Sequence, residues 1–425
     1  MKKNVFVVGP DEMNWSKLRT MKGTEGYTLH ELLTYEETHG AKEYDPGWML
    51  DQARKRLDAF EGSIDAIVSF WDFPVSLMLP ILAREYNTMS PSLTSVLQCE
   101  HKYWSRVKQQ EAVPDLTPGF ARFDPFDEDP RGAIDLDFPY WVKPVKAFGG
   151  YLGFRIQDEA DFEKALAAIR KGIGRFQKPL DQILRYADED IPEDIRSGGF
   201  CIAEEIIGGK QVTLEGFASR GEIDSHGIVD SYRHENQVSF SRFQYPSNLP
   251  EAVKKRIFEA SRTVMGHIGF DNSPFNIEYF YDEDADTLKL LEINPRIAQS
   301  HSDLFKKVDG TSNHHVMVEV GLGRNPDWKR GLGDFTIGSK LFVRAFEDGR
   351  VTRVPTKEQI ERVKERFPGT LVQVLVEQGE QLSEMLYQDS YSYKLAIVYM
   401  GADSQKELLS NFEEVKDILG FRVEQ

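Results

Sequence analysis

In the stretch FNIEYFYDEDADTLKLLEINPR, from Phe275 to Arg296, the glutamates Glu278 and Glu292 and the asparagines Asn276 and Asn294 stand at a spacing that could do chemistry. If it folds as a hairpin symmetric about Ala285, Glu278 faces Glu292 and Asn276 faces Asn294. Side chains alternate with a period of two along a strand, so all four project from one face. Directly opposed residues hold their Cβ atoms about 5 Å apart. Two carboxylates so placed repel unless a cation lies between them, and magnesium takes carboxylate and amide oxygens together with phosphate. The plain alternative is a solvated acidic hairpin. It accounts for Asp282–Asp286 as a turn, but poorly for Glu292, which interrupts Leu288-Lys289-Leu290-Leu291 and precedes Ile293. A one-residue slip of register would undo the constellation.

The second candidate is WVKPVKAFGGYLG, residues 141–153. Lys143 lies inside an apolar strand beside Trp141 and Val142, and Gly149, Gly150 and Gly153 follow. Glycines let backbone N–H groups approach phosphate oxygens, and a lysine supplies a point charge. The spacing is neither GxxxxGK[ST] nor GxGxxG. An ordinary tight turn and an edge-strand surface lysine are the plain alternatives. The chain has no HExxH, no cysteine–histidine zinc spacing and no GxSxG elbow.

The elements that must position these residues follow from periodicity. Asn4–Gly9 and Ile64–Phe70 read as buried parallel strands, with helical patterns over Met49–Phe60 and Pro74–Glu85. Strands alternating with helices predict a small doubly wound domain over residues 1–98. Tyr140–Val145 predicts a strand, and a helix begins near Asp158 with Phe162, Leu166 and Ile169 on one face. Lys171–Ser197 reads as a polar insertion. Phe200–Ile207 and Gln211–Ala218 read as strands about a hairpin-type turn at Gly208-Gly209. Leu249–Gly266 reads as a helix. Ser339–Ala345 and Val351–Pro355 flank Glu347-Asp348-Gly349 and predict a hairpin opening a C-terminal α+β region.

At 425 residues, two or three domains are expected, and 40% hydrophobic with 28% charged residues is a globular balance. The net charge of −17, without a long basic run, argues against nucleic acid or an anionic membrane as partner. Two cysteines, Cys99 and Cys201, make no disulfide framework and fit a reducing cytoplasm. The run Val5–Val8 is too short for a signal peptide, and Phe70–Leu82 is interrupted by Asp72, Pro74 and Pro80.

Four motifs stand in one order: QCEHKYW (98–104), WVKPVKAFGGYLG (141–153), IAEEIIGGKQVTLEG (202–216), and FNIEYF with LEINPR (275–296). Together they resemble the ATP-grasp superfamily, in its carboxylate-amine (amino-acid) ligase branch, with biotin-carboxylase-like features in EINPR. The resemblance implies an α/β and α+β multidomain fold. Its parts would be an N-terminal doubly wound domain over 1–98, an ATP-grasp domain over 99–330 with a mobile lid at about 136–210, and a C-terminal α+β domain over 331–425. It implies that Lys102 and Lys143 bind ATP phosphates and that Gly149 and Gly150 tip the lid. Glu204 would meet the adenine amino group, and the backbone of Glu205 and Ile207 the adenine edge. Glu278, Glu292 and Asn294 would hold two magnesium ions, for which manganese can substitute, and Arg296 would sit by the transferred phosphate. Relatives often carry a glutamate where this chain has Gln211; Gln211 or Glu215 would take the ribose. Ser300 and His301 are candidate substrate contacts, and His314 and His315 are weighed with them; all four read more simply as structural or solvated.

The activity so implied is ATP-dependent joining of a small carboxylate to an amine through an acyl phosphate, in the cytoplasm, with a homodimer compatible with the C-terminal domain. A biotin-carboxylase-like enzyme is the alternative. Against it, SYRHENQVSFSRFQY (231–245) lacks the basic, glutamine-rich stretch which that branch uses near bicarbonate. A non-catalytic nucleotide-binding protein is the third reading, and the intact lysine and carboxylate set argues against it.

Overall fold

The computed structural model describes residues 2–41, 43–147, 150–188, 191–236, 238–385 and 392–425. The apolar run β1 (Lys3–Val8) is the middle strand of a parallel sheet, between β2 (Tyr27–Leu33) and β3 (Ala66–Val68). β2 escapes the sequence reading because His30 and Glu31 break its apolar run on a sheet edge. The helices α1 (Glu12–Arg19), α2 (Pro46–Asp58) and α3 (Val75–Tyr86) complete the expected unit. Asp11 and Asp45 cap the first two through their side chains. Two short helices, α4 (Leu93–Glu100) and α5 (Lys102–Ala112), lead out of it, capped by Ser92 and His101.

A separate antiparallel sheet follows, built from β4 (Phe120–Phe123), β5 (Tyr140–Pro144), β6 (Phe154–Ile156) and β7 (Cys201–Glu205) in the order β4-β7-β5-β6. The helix α6 (Glu159–Gly172), capped by Asp158, closes it with Phe162, Leu166 and Ile169 on the predicted face. Residues 171–197 are not an insertion throughout. They contain α7 (Gly174–Leu184), whose Phe176, Leu180 and Ile183 bury into the main core. An internal Pro179 and a polar composition hide that face in the sequence.

The remaining chain builds one eight-stranded antiparallel sheet. Its strands in chain order are β8 (Lys210–Ser219), β9 (Glu222–Arg233), β10 (Phe240–Tyr245), β11 (Ser273–Asp282), β12 (Thr287–Asn294), β13 (Ile337–Ala345), β15 (Leu371–Val374) and β16 (Tyr393–Ala402). The small pair β14 (Arg350–Arg353) and β17 (Arg422–Glu424) lies apart. In space the order is β12-β11-β8-β9-β10-β13-β16-β15. The long helix α8 (Glu251–Ile268) and the pair α9 (Ser302–Asp309) and α10 (Asn313–Gly321) pack on it; α11 (Lys357–Arg366) and α12 (Gln405–Leu419) belong to the C-terminal end.

Two expectations change here. β7 and β8 are not a hairpin: β7 pairs with β4 and β5, and β8 with β9 and β11, so the Gly208-Gly209 link crosses between two sheets. β13 and β14 are not a hairpin either, since β13 pairs with β10 and β16 while β14 pairs with β17. Residues beyond 330 have their own apolar core around Leu341, Val363, Leu395 and Leu408, yet their strands extend the central sheet. Local pattern identifies strands; long-range pairing decides which sheet they join.

Candidate functional site

The β11–β12 hairpin pairs Glu278 with Glu292 and Asn276 with Asn294. The route to that register differs from simple symmetry. Near the turn Asp282 pairs with Thr287 and Tyr279 with Leu290, which would place Leu291 opposite Glu278. A bulge at Leu291 absorbs one residue and brings Glu292 into line. Arg106 on α5, buried, holds that bulge: its guanidinium donates to the carbonyls of Leu290 and Leu291 at 2.8 and 2.7 Å. Its Nε donates to Glu204 at 2.7 Å. One side chain therefore ties the strand of the carboxylate pair to β7.

The carboxylates floor a cavity of about 570 Å³ between the two sheets. Lys102, Lys143, Lys146 and Arg296 line it, together with Asn294 and Gln211. Burial pulls the Lys102 ammonium down to about 8 against the nearby Glu292, and its Nζ donates to the Ala147 carbonyl at 2.8 Å. Burial and then repulsion from Glu292 push the Glu278 carboxyl up. Asn294 donates to Asn276 at 3.1 Å, and Asn276 to the Arg296 carbonyl at 2.9 Å, fixing both amides across the strands.

The residues drawn from the third motif lie on β7, in the link from β7 to β8, and on β8. Glu204 has both carboxylate oxygens engaged, one by Arg106 and one by Lys143 at 2.5 Å. Burial pushes its carboxyl up, but Lys143 and Arg106 more than offset this and hold it at about 2. Glu205 bonds to Gly119 through both its backbone N–H and its carboxylate. Ile207 lies in the link between β7 and β8, where Gly209 adopts φ +110. Gln211 lines the cavity, donates to Glu278 and accepts from Arg233. Glu215 is fully buried away from the cavity lining, bound by His301 Nδ1 at 2.9 Å and Asn313 at 3.2 Å. Of the two ribose candidates, Gln211 is the one facing open space. Ser300 and His301 do not line the cavity. His301 serves the Glu215 cluster behind the sheet, and His314 and His315 are buried on α10. Gly150 lines the cavity with φ +75, while Gly149 lies outside the described residues.

Besides Arg106, three charged residues of the cavity wall, Lys146, Asp72 and Glu100, were not singled out as site residues from the sequence. Lys146 is buried, ion-paired to Glu100 at 2.6 Å and to Asp72 at 3.6 Å. Arg296 pairs with the other oxygen of Asp72 at 2.9 Å. Burial would pull Lys146 down, but Glu100 and Asp72 hold it above its ordinary range. Burial pushes Asp72 up, but Arg296 and then Lys146 hold it well below its range. Lys146 stands three residues after Lys143 in a quoted motif, so a signal was present. Asp72 and Glu100 belong to segments whose approach is purely tertiary.

The donor set suits a hard divalent cation. Two facing carboxylates with an amide oxygen beside them match magnesium, which keeps waters and takes phosphate oxygens to complete its shell. Burial and then the facing Glu292 raise the Glu278 carboxyl, and a cation between the two carboxylates would offset both. Among the described residues no group of three or more histidine, cysteine, aspartate or glutamate side chains forms a metal cage.

Residues 136–303 match the family described as ATP-grasp domain. Among curated proteins, urea amidolyase of Saccharomyces cerevisiae is 23% identical over 230 residues, covering 52% of this chain and 11% of that protein. The carbamoyl phosphate synthase large chain of an Arthrobacter species is 24% identical over 206 residues, covering 47% of this chain and 16% of that protein. The chain thus matches under a fifth of the length of these relatives. Among solved structures, L-amino acid ligase from Bacillus licheniformis superposes with a TM-score of 0.77 at 16% identity, over 100% of this chain and 99% of that one. Biotin carboxylase from Campylobacter jejuni superposes at 0.64 and 14%, over 100% and 92%. These likenesses show the fold.

Proposed function

We propose that this chain, which carries an ATP-grasp domain, uses ATP to activate a small carboxylate as an acyl phosphate and joins it to an amine. The observation that supports this most is the Glu278–Glu292 pair, brought face to face on the floor of a cavity lined by three lysines and Arg296. A carboxylate is a poor electrophile because its charge is delocalised. Transfer of the γ-phosphoryl group to one of its oxygens gives an acyl phosphate with a good leaving group. The amine then attacks the carbonyl carbon, and phosphate leaves with the C–O bond electrons; amide, ADP and phosphate result.

In this reading Lys102 and Lys143 neutralise phosphate oxygens. Glu278, Glu292 and Asn294 would hold magnesium, which would supply charge neutralisation where the phosphoryl group moves. Arg296, kept in place by Asp72, faces the charge that develops on the transferred group and the tetrahedral carbon. Glu204, tied up by Lys143 and Arg106, marks the adenine end near the β7–β8 link, and Gln211 meets the ribose. The four-stranded sheet with its glycine turn covers the site and keeps water from the acyl phosphate.

The test is ADP release across a panel of amino-acid pairs, with product masses. A bicarbonate arm separates the carboxylase alternative, since carboxylation would make ADP release depend on bicarbonate and not on the amine. Glu292→Gln is expected to cut turnover at least a hundredfold while its melting temperature stays near wild type. Full turnover in that variant, or ADP release that no amine stimulates, overturns the reading.

A further inference from the structure

A second cavity of about 610 Å³ opens between α1, the α9–α10 junction and the C-terminal strand β15. Its lining shares no residue with the nucleotide cavity. Lys17 lines it and is 9% exposed, yet its Nζ has no hydrogen-bond partner among the described residues. The ammonium sits 5.3 Å from the ring centre of Tyr399, which compensates only part of its lost hydration. Asp303, the acid that acts on it most, has its Oδ2 2.7 Å from the Lys307 Nζ in an ion pair that makes no hydrogen bond, so that oxygen is also without a hydrogen-bond partner among the described residues. Thr311 and Ser312 line the same space, 7% and 3% exposed, and their hydroxyls also lack partners.

Ser312 is the N-cap of α10, a nine-residue helix, and its side chain makes no capping bond. The first backbone N–H groups of a helix have no intrahelical acceptor and carry partial positive charge. In a chain of net charge −17, the groove has Lys17, Lys22, Lys306 and Lys364 against Glu12 and Asp303. A buried cation, two free hydroxyls and an uncapped helix start all lack the same thing, an oxygen-rich anion.

We propose that this groove is a second ligand site, which takes the phosphate or carboxylate oxyanion of a small metabolite on Lys17, Thr311, Ser312 and the N–H groups of Asn313 and His314, the His315 N–H being already donated to the Ser312 carbonyl at 3.0 Å. The site is independent of the reading of the catalytic centre. Its span from the N-terminal domain to the C-terminal strands means that a bound ligand braces the two together.

The experiment is calorimetric titration of the full chain with inorganic phosphate and, separately, with malonate, each in a saturating magnesium complex of a non-hydrolysable ATP analogue so that the nucleotide and γ-phosphate positions are filled; binding that Lys17→Met leaves intact belongs to the catalytic cavity. Saturable binding of at least one probe is expected. Binding of phosphate alone assigns a phosphorylated ligand, and of malonate alone a carboxylate. Lys17→Met, which keeps the side-chain length, is expected to weaken that binding at least tenfold. Ser312→Ala, which removes no capping bond and so spares the fold, is expected to weaken it several-fold. Lys143→Ala is expected to leave it unchanged. Absence of binding by both probes, or equal affinity in wild type, Lys17→Met and Ser312→Ala, overturns the proposal.

Discussion

Individual charges in the cavity are held by other charges, and this sets what single substitutions do. Lys143 is the lysine proposed to meet phosphate, and a hydrogen bond to a charged group is worth about 1.5–3 kcal/mol. Lys143→Ala is therefore expected to weaken ATP binding by roughly ten- to a hundredfold in an equilibrium titration; unchanged affinity would return it to the role of a partner for Glu204. Glu204 itself makes the fold pH-sensitive. Its folded value, about 2, lies below the ordinary 4.5, so its contribution is present above that ordinary value and is lost as pH falls towards 2. Removing one partner of a buried pair costs about 3–5 kcal/mol. Glu204→Gln should show a loss of that order by urea unfolding at pH 7, and the gap to wild type should narrow at pH 3. A gap that stays constant between the two pH values would mean that Glu204 is not ionised in the fold.

Between elements, the link joining β7 to β8 decides how the small sheet sits over the large one. Gly209 takes φ +110, and a Cβ there would lie 2.5 Å from the Tyr281 carbonyl oxygen. Its neighbour Gly208 has open space within 4 Å of the same construction. Gly209→Ala is therefore expected to destabilise by about 1–3 kcal/mol, while Gly208→Ala stays within about 0.5 kcal/mol of wild type; equal melting temperatures for the two variants would contradict this geometry. The turn between β5 and β6 carries positive φ at Gly150 and Leu152. Closing lids are drawn from segments of low local stability. Amide exchange over residues 150–153 should slow when Mg-ADP is added, and identical rates in both states would argue against a lid.

At the scale of the molecule, the cavity has two ends. The carboxylate pair, Lys102 and Lys146 lie by Arg296 and Asp72, while Glu204 stands at the strand leading to the β7–β8 link. With the base near that link, the γ-phosphorus faces Arg296, so the ligase reading requires ADP and phosphate as products. With the carboxylate substrate labelled by oxygen-18, one label is expected in the released phosphate. AMP and pyrophosphate as products would reverse that orientation and sink the mechanism.

What the sequence determined by itself was the set of strongly periodic elements and the residue types at the floor of the site. The strand Asn4–Gly9, the α6 face of Phe162, Leu166 and Ile169, and the four motifs in order are local statements, governed by period and turn chemistry. The Glu278–Glu292 pairing was legible in outline, through a symmetry about Ala285 that fails at the turn itself. The bulge at Leu291 restores it, and that bulge is held by Arg106, 185 residues away in the chain. The same holds for Asp72, Glu100 and Lys146, for the fate of Glu215, and for the strands that join one sheet or another. Each depends on contacts between segments far apart in sequence, where burial and the pairing of buried charges decide the outcome, and no local pattern encodes them.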